Sequence, residues 1–375
     1  MRLLTWNIQW GRGLDGRVDL VRIAREIEAH APDVVCLQEV VRGIPELTQG
    51  GVTADDQPAV LADLFTGWSS AYAPALDVAQ RAGTRRQFGN MLLTRLPLLE
   101  VRRHALPMPA DASVPAMPRA ALECTVMAPW GPLVVVTTHL AYYSVHQRLA
   151  QVAALRRLLA ENVAHALAPR PSGGEGEPHF AAMPRSAGMV LCGDFNCPPD
   201  SPELMALQVP LSVDEMLAAG ASAVPPLRPR AAEGDPPQAG AQRPRAGCVV
   251  APEADGVPTA VPPLQPRVAE GDPPQAGAQS PRAGCVVAPE ADGVPTAVPP
   301  RLCFEDAWRR VHGAQAHVPT AGRVASADFP APVCFDFAFV STPLACRLQT
   351  IRVDAATSAS DHQPVTVDFA DSHES

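Results

Sequence analysis

Leu191-Cys192-Gly193-Asp194-Phe195-Asn196-Cys197-Pro198-Pro199 carries the strongest structural signal in the chain. The apolar run Met189-Val190-Leu191-Cys192 is continuous and halts at Gly193, the pattern of a short buried strand. A carboxylate and a carboxamide stand immediately beyond it, and two prolines then forbid further pairing. Side chains at i and i+2 of a strand point the same way, so Asp194 and Asn196 can share one pocket. Taken alone, the pair reads equally well as an Asx turn that caps a loop.

The same pattern recurs at other strand ends. Asn7 follows Leu3–Trp6, Glu39 follows Val34–Leu37, His139 follows Leu133–Thr138, and Asp361-His362 comes just before Val365–Phe369. Asp336 lies inside an apolar strand, Cys334–Phe339, where an ionised carboxylate is costly unless paired; His362 is a plausible partner. A packed sheet brings its strand ends together, so these groups can converge at one edge. Carboxylates and an amide oxygen without a thiolate cluster suit a hard cation, Mg²⁺ or Mn²⁺. A His–Asp pair can move a proton, and Asn and His donors can hold charge on phosphoryl oxygens. The chemistry these types suit is metal-assisted phosphoester hydrolysis.

Leu20, Ile23, Ala24 and Ile27 recur at helical spacing between the first two strands, an order that argues for a mixed α/β sheet. Residues 41–60 read as loop, with a short helix from Pro58 to Phe65. Strands are expected over 88–93, 98–106, 120–127, 133–138, 333–341, 346–353 and 365–369. Val145–Leu167 is the longest helix, with apolar residues at Leu149, Val152, Leu155, Leu158, Leu159 and Val163, and Ser201–Leu207 is a brief one. The composition changes after residue 221. Residues 223–259 are repeated at 260–296 with three substitutions, Arg228/Gln265, Ala231/Val268 and Arg243/Ser280. A 37-residue period can mark a solenoid, but two copies lacking amphipathic helices cannot bury a core. The segment 221–300 therefore reads as a disordered Pro/Ala/Gly-rich insertion in a single domain spanning 1–370.

The chain has 375 residues, 47% of them apolar, enough for a substantial core. Its net charge of −9 gives no global pull toward nucleic acid or an anionic membrane. Every basic residue is arginine, which excludes lysine Schiff-base chemistry and the P-loop lysine. Nine cysteines, scattered singly without metal spacing, read as buried free thiols in a reducing compartment. No run suits a transmembrane helix, and a cytoplasmic location is expected.

The series TWNI (5–8), LQEV (37–40), FGNMLLTRLPL (88–98), TTHLAYY (137–143), GDFNCPP (193–199), DAW (306–308), DFAFVS (336–341) and SDHQPV (360–365) resembles the endonuclease/exonuclease/phosphatase superfamily. The resemblance implies a four-layered α/β sandwich of two packed mixed β-sheets flanked by helices, with the site at the sheets' shared end. It implies Glu39 as main metal ligand, with Asn7 and Asp361 close to the metal. Asp194 and Asn196 would line the phosphate and the attacking water, and His139 would contact the scissile phosphate. The base is then Asp194 or His362 oriented by Asp336, and the His362–Asp336 pair is favoured. AP endonucleases carry a tyrosine at the position of His139 and usually an acidic residue at that of Gln9, so the Thr-His-Leu branch is the closer likeness. Arg85, Arg86, Asn90 and Arg119 flank these motifs as candidate substrate contacts, although solvated surface explains the arginines equally well.

The expected activity is hydrolysis of a phosphodiester, nucleic acid being one candidate substrate. Sphingomyelinase-like or phosphatase-like chemistry on a lipid or small phosphoester is the alternative. A non-catalytic protein that binds partners through the Pro-rich insertion would ordinarily have lost a ligand, and none is missing here. A monomer is expected.

Overall fold

The computed structural model describes residues 1–48, 56–80, 83–168, 178–180, 183–220, 301–325 and 329–371. Its strands are β1 (Arg2–Asn7), β2 (Val34–Arg42), β3 (Ser69–Ala79), β4 (Arg85–Thr94), β5 (Leu98–Ala105), β6 (Ala120–Ala128), β7 (Gly131–His139), β8 (Met189–Asp194), β9 (Phe304–Asp306), β10 (Asp336–Ser341), β11 (Leu348–Val353) and β12 (Val365–Phe369). The helices are α1 (Leu20–Ala29), α2 (Pro45–Thr48), α3 (Gln57–Leu64), α4 (Val145–Leu167), α5 (Pro202–Gln208), α6 (Val213–Ala218) and α7 (Ala307–His312). One six-stranded sheet runs β11-β12-β1-β2-β4-β3 and the other β5-β6-β7-β8-β10-β9.

The continuous apolar strands arise because both faces of each sheet are covered. Leu3, Val34 and Cys36 of the first sheet pack between the sheets against Leu122, Val135 and Val190 of the second. Their neighbours Leu4, Val35 and Leu37 turn outward onto Ile23 and Ile27 of α1 and Leu61 of α3. On the far side, Val134, Val136 and Leu191 meet Val152, Leu155 and Leu159 of α4. Helix, sheet, sheet, helix is the expected four-layered α/β sandwich. Burying each such Leu or Val contributes ~1.5–3 kcal/mol.

Two parallel pairs position the site. Strands β1 and β2 are linked through α1, which Asp19 caps by accepting from the Arg22 amide. Strands β7 and β8 are linked through α4, capped in the same way by Ser144. Their registers end at Asn7 opposite Gln38 and at His139 opposite Asp194. The remaining pairings are antiparallel, so Asp336 at the start of β10 also falls opposite Asp194.

Several boundaries differ from the sequence-based expectation. Pairing in β8 continues through Gly193 to Asp194 instead of halting at the glycine. Residues 41–60 hold the end of β2, helix α2 and the start of α3 rather than loop alone, and 49–55 lie outside the described residues. Leu149 on α4 is exposed. Strand β3 and helix α6 were not expected. The insertion at 221–300, with both repeats, lies outside the described residues. The cysteines that are described are all free, and no described helix is long and apolar enough to cross a membrane.

Gly193 is fixed by its surroundings. Its φ is 137°, and a Cβ built there would strike the Thr138 carbonyl oxygen of neighbouring β7. Gly193→Ala is therefore expected to destabilise the protein by ~2–4 kcal/mol in urea unfolding. A loss below ~0.5 kcal/mol would show that the strand accommodates a side chain.

Candidate active site

The two sheets deliver their polar strand ends to one place. Asn7 closes β1, His139 closes β7, Asp194 closes β8 and Asp336 opens β10. Glu39 enters from within β2, at a bulge where pairing with β4 shifts between Leu37 and Val40. Its φ of 60° is a left-handed conformation uncommon outside glycine, and strain of this kind gathers at functional sites. Asp361 and His362 sit on the turn before β12. That turn is tied to β1 because Ser360 Oγ donates to the Asn7 carbonyl at 2.8 Å and Trp6 Nε1 donates to the His362 carbonyl at 3.0 Å.

Side-chain bonds then join the expected residues into one network. His362 Nδ1 lies 2.7 Å from Asp336 Oδ2, and His362 Nε2 lies 3.8 Å from Asp194 Oδ2. Asn7 Nδ2 donates to Asp194 Oδ2 at 3.0 Å and to Glu39 Oε1 at 3.1 Å, while its Oδ1 accepts from the Gln9 amide. The Asn196 amide donates to Asp194 Oδ1 at 2.9 Å, so the Asx turn anticipated as the plain reading is present as part of the site. Asn196 Nδ2 donates both to the Leu140 carbonyl, at 3.0 Å, and to His139 Nε2, at 2.8 Å. That leaves the imidazole proton of a neutral His139 on Nδ1, which makes no hydrogen bond among the described residues and lies 3.9 Å from Glu39 Oε1.

Burial and crowding set the charges. Burial lifts Asp194 to about 6, with the Asp336 charge adding to it against His362. Burial and the neighbouring Asp361 lift Glu39 to about 7. Asp361 is also raised, chiefly by burial. Burial alone would favour neutral His362, but the charge and hydrogen bond of Asp336 lift it to about 10, so its ring is an imidazolium at neutral pH. Burial, with Arg119 and His362 nearby, pushes His139 the opposite way, and it stays neutral.

An imidazolium set against carboxylates of raised pKa is an arrangement suited to proton transfer. The profile of the endonuclease/exonuclease/phosphatase family matches residues 4–362. The chain belongs to that family. It is accordingly a phosphoester hydrolase. Its fold is similar to that of a solved endonuclease/exonuclease/phosphatase protein from Beutenbergia cavernae, at 21% identity and TM-score 0.51 over 98% of this chain and 71% of that one. It is also similar to one from Bacteroides vulgatus, at 14% identity and TM-score 0.51 over 98% of each chain. At these identities the likeness speaks for fold alone. No curated protein matches the sequence significantly.

The four flanking candidates separate. Arg85 is exposed and bound to Asp77 at 2.6 Å, and Arg86 to Glu46 at 2.7 Å. Asn90 donates to the Ala120 carbonyl as a tie between the sheets. Arg119 alone of the three arginines is buried. Other residues of the site were given no role from the sequence. Gln38 Nε2 donates to Thr5 Oγ1 of its own sheet and to Thr137 Oγ1 of the other, at 3.2 and 2.8 Å. Gln9 Nε2 donates to Asp361 Oδ2 at 2.7 Å. Thr320 Oγ1 accepts the amides of Phe335 and Asp336, both at 3.0 Å. Gln38 had a signal in its place beside Glu39; Thr320, in an irregular segment, had none.

His362→Ala and Asp336→Asn are each expected to lower kcat by about 10²–10⁴-fold, the usual cost of losing a proton-transfer group. The double variant should lose little more than the worse single one, because the two act as a unit. A double loss equal to the product of two large single losses would show that they work independently.

Proposed function

We propose that the protein is a divalent-metal-dependent phosphodiesterase of nuclease type, in which water attacks phosphorus. The 2.7 Å His362–Asp336 pair carries this reading, set beside Asp194 and linked through Asn7 to Glu39. Whether the residues fit a cation is answered by their own state. Glu39 and Asp361 are half-buried carboxylates, both raised in pKa chiefly by burial, and the Asp361 charge adds to the rise of Glu39 although His362 opposes it. An all-oxygen donor set of this kind fits Mg²⁺ or Mn²⁺. Asp194, Asp336 and His362 also bring ligand atoms within 4.8 Å of one another. There, however, the imidazolium already supplies the positive charge. Glu39 is the favoured main ligand, with Asp361 and Asn7 beside it. A cation held there would offset charge on the phosphoryl oxygens.

The chain's own groups handle the rest. Asp194, ionised above about 6, takes the proton of the attacking water in place of the His362–Asp336 pair favoured from the sequence, because a ring already held as an imidazolium cannot accept one. His362, oriented by Asp336, donates toward the leaving oxygen. Asn196 and His139 face the phosphoryl group. Free buried thiols support a reducing, cytoplasmic setting, and the expected state is a monomer.

Activity should require divalent metal and Glu39. EDTA, or Glu39→Gln, should abolish turnover while leaving the fold intact by circular dichroism; full activity in either case overturns the metal assignment. A panel of single- and double-stranded DNA, RNA, sphingomyelin, phosphoinositides and bis-p-nitrophenyl phosphate in Mg²⁺ decides the substrate, with turnover expected on the nucleic acids and on the small diester. Hydrolysis confined to lipids would replace the nuclease-type reading.

Residues 1–370 are proposed to act as one catalytic domain that tolerates its insertion. The Leu211 amide, shortly before the insertion, donates at 2.8 Å to the carbonyl of Leu302, just beyond it, so the flanking chain is already joined. Each doubling of a loop costs only ~0.6 kcal/mol in closure entropy. Deleting 223–259 should leave the turnover of bis-p-nitrophenyl phosphate within about twofold. A larger loss would assign the repeat a part in catalysis.

A further inference from the structure

Among the arginines beside the site, Arg119 lacks the partners that a buried cation needs. It stands at the entry to β6, 7% exposed, with Nε buried and unpartnered, and it makes no ion pair among the described residues. Leaving a guanidinium buried and unpaired is costly, and burial itself pulls its pKa down. The position is not an accident of a loose loop. The Arg119 carbonyl accepts the Leu106 amide at 2.9 Å, and the next carbonyl, Ala120, accepts both Asn90 Nδ2 at 2.9 Å and Thr138 Oγ1 at 3.3 Å. The chain leading to Arg119 is bolted to α4, where Gln151 Nε2 donates to the Pro107 carbonyl and Gln147 Nε2 to that of Pro109. The β6–β7 register, Ala121 opposite Thr138, carries Arg119 to the end of the sheet where His139 stands. Glu39 and Asp194 are the carboxylates whose field it feels. His139 Nδ1, a second buried nitrogen without a hydrogen bond, belongs to the same end of the sheet and lies 3.9 Å from Glu39 Oε1.

We propose that Arg119 is a substrate-binding catalytic residue, whose guanidinium donates to the non-bridging oxygens of the phosphoryl group under attack. A phosphoryl anion supplies the acceptors that the protein withholds, and charge that grows on those oxygens in the transition state strengthens the bonds. His139, kept neutral partly by the Arg119 charge, adds its Nδ1–H from the same side. The inference rests on the phosphoesterase reading above, and its test separates the two. The rival is a structural role, with Arg119 as a fixed counter-ion for Glu39 and Asp194.

Full-length wild type, Arg119→Met and Arg119→Lys are to be compared in three measurements. These are Tm in EDTA, orthophosphate affinity by calorimetry in Mg²⁺, and hydrolysis of bis-p-nitrophenyl phosphate in Mg²⁺. Arg119→Met is expected to fold with a Tm no lower than wild type and to bind orthophosphate at least about tenfold more weakly. It should lose about 10²-fold in kcat/KM, as removal of one oxyanion donor does. Arg119→Lys should recover part of the affinity and less of the rate, because an ammonium keeps the charge but not the planar fork. Unchanged orthophosphate affinity in Arg119→Met overturns the proposal, as does wild type that binds no orthophosphate. So does a lowered Tm that Arg119→Lys restores, the mark of a counter-ion. Wild type that binds orthophosphate through Arg119 yet cleaves no phosphoester would sink the functional reading and leave the binding role standing.

Discussion

The hydrogen bond from Asn7 Nδ2 to Asp194 Oδ2 is the contact on which the site depends. Asn7 belongs to one sheet and Asp194 to the other, so this 3.0 Å bond holds only while the sheets keep their packing and their registers. Gln38 reinforces the junction by donating to a threonine in each sheet. A slip of one residue in either parallel pair would exchange inward for outward side chains and disperse the cluster. The apolar layer between the sheets, from Leu3 and Val34 to Val135 and Val190, is therefore also what aligns the polar groups of the site.

Gathering four carboxylates and an imidazolium in one largely enclosed place opposes stability. The raised pKa values of Glu39, Asp194 and Asp361 express that opposition directly. Glu39 also holds a left-handed backbone conformation. Such a site persists because the surrounding sandwich overdetermines it, with both faces of each sheet covered and the strand ends tied by Ser360, Trp6 and Thr320. Stability lost here is what electrostatic pre-organisation requires, since groups held in place need no rearrangement when charge develops on the substrate. The two histidines are set apart by charge: His362 is held as a cation by Asp336, while His139 is held neutral by burial and by Arg119.

The sequence by itself determined the architecture and most of the polar residues that stand together at the strand ends. Continuous apolar runs such as Val34–Leu37 and Met189–Cys192, too short for helices and bounded by turn residues, read as strands buried on both faces, and polar residues at their ends then meet at one edge. Where a strand was short of large apolar residues the signal failed. β3 lies at the edge of its sheet, carries Pro74 and turns only Ala71 and Ala73 to the core, so no alternation marks it. The tertiary structure alone decided how the site's members relate. The bulge that rotates Glu39 inward, the tautomer that turns Nδ1–H of His139 toward Glu39, and the difference between solvated Arg85 and buried Arg119, which makes no ion pair among the described residues, are properties of neighbours distant in the chain. Sequence specifies which groups a strand carries to its end. Which charge compensates which is set only when two sheets close on each other, because electrostatic energy depends on separation and burial rather than on order along the chain.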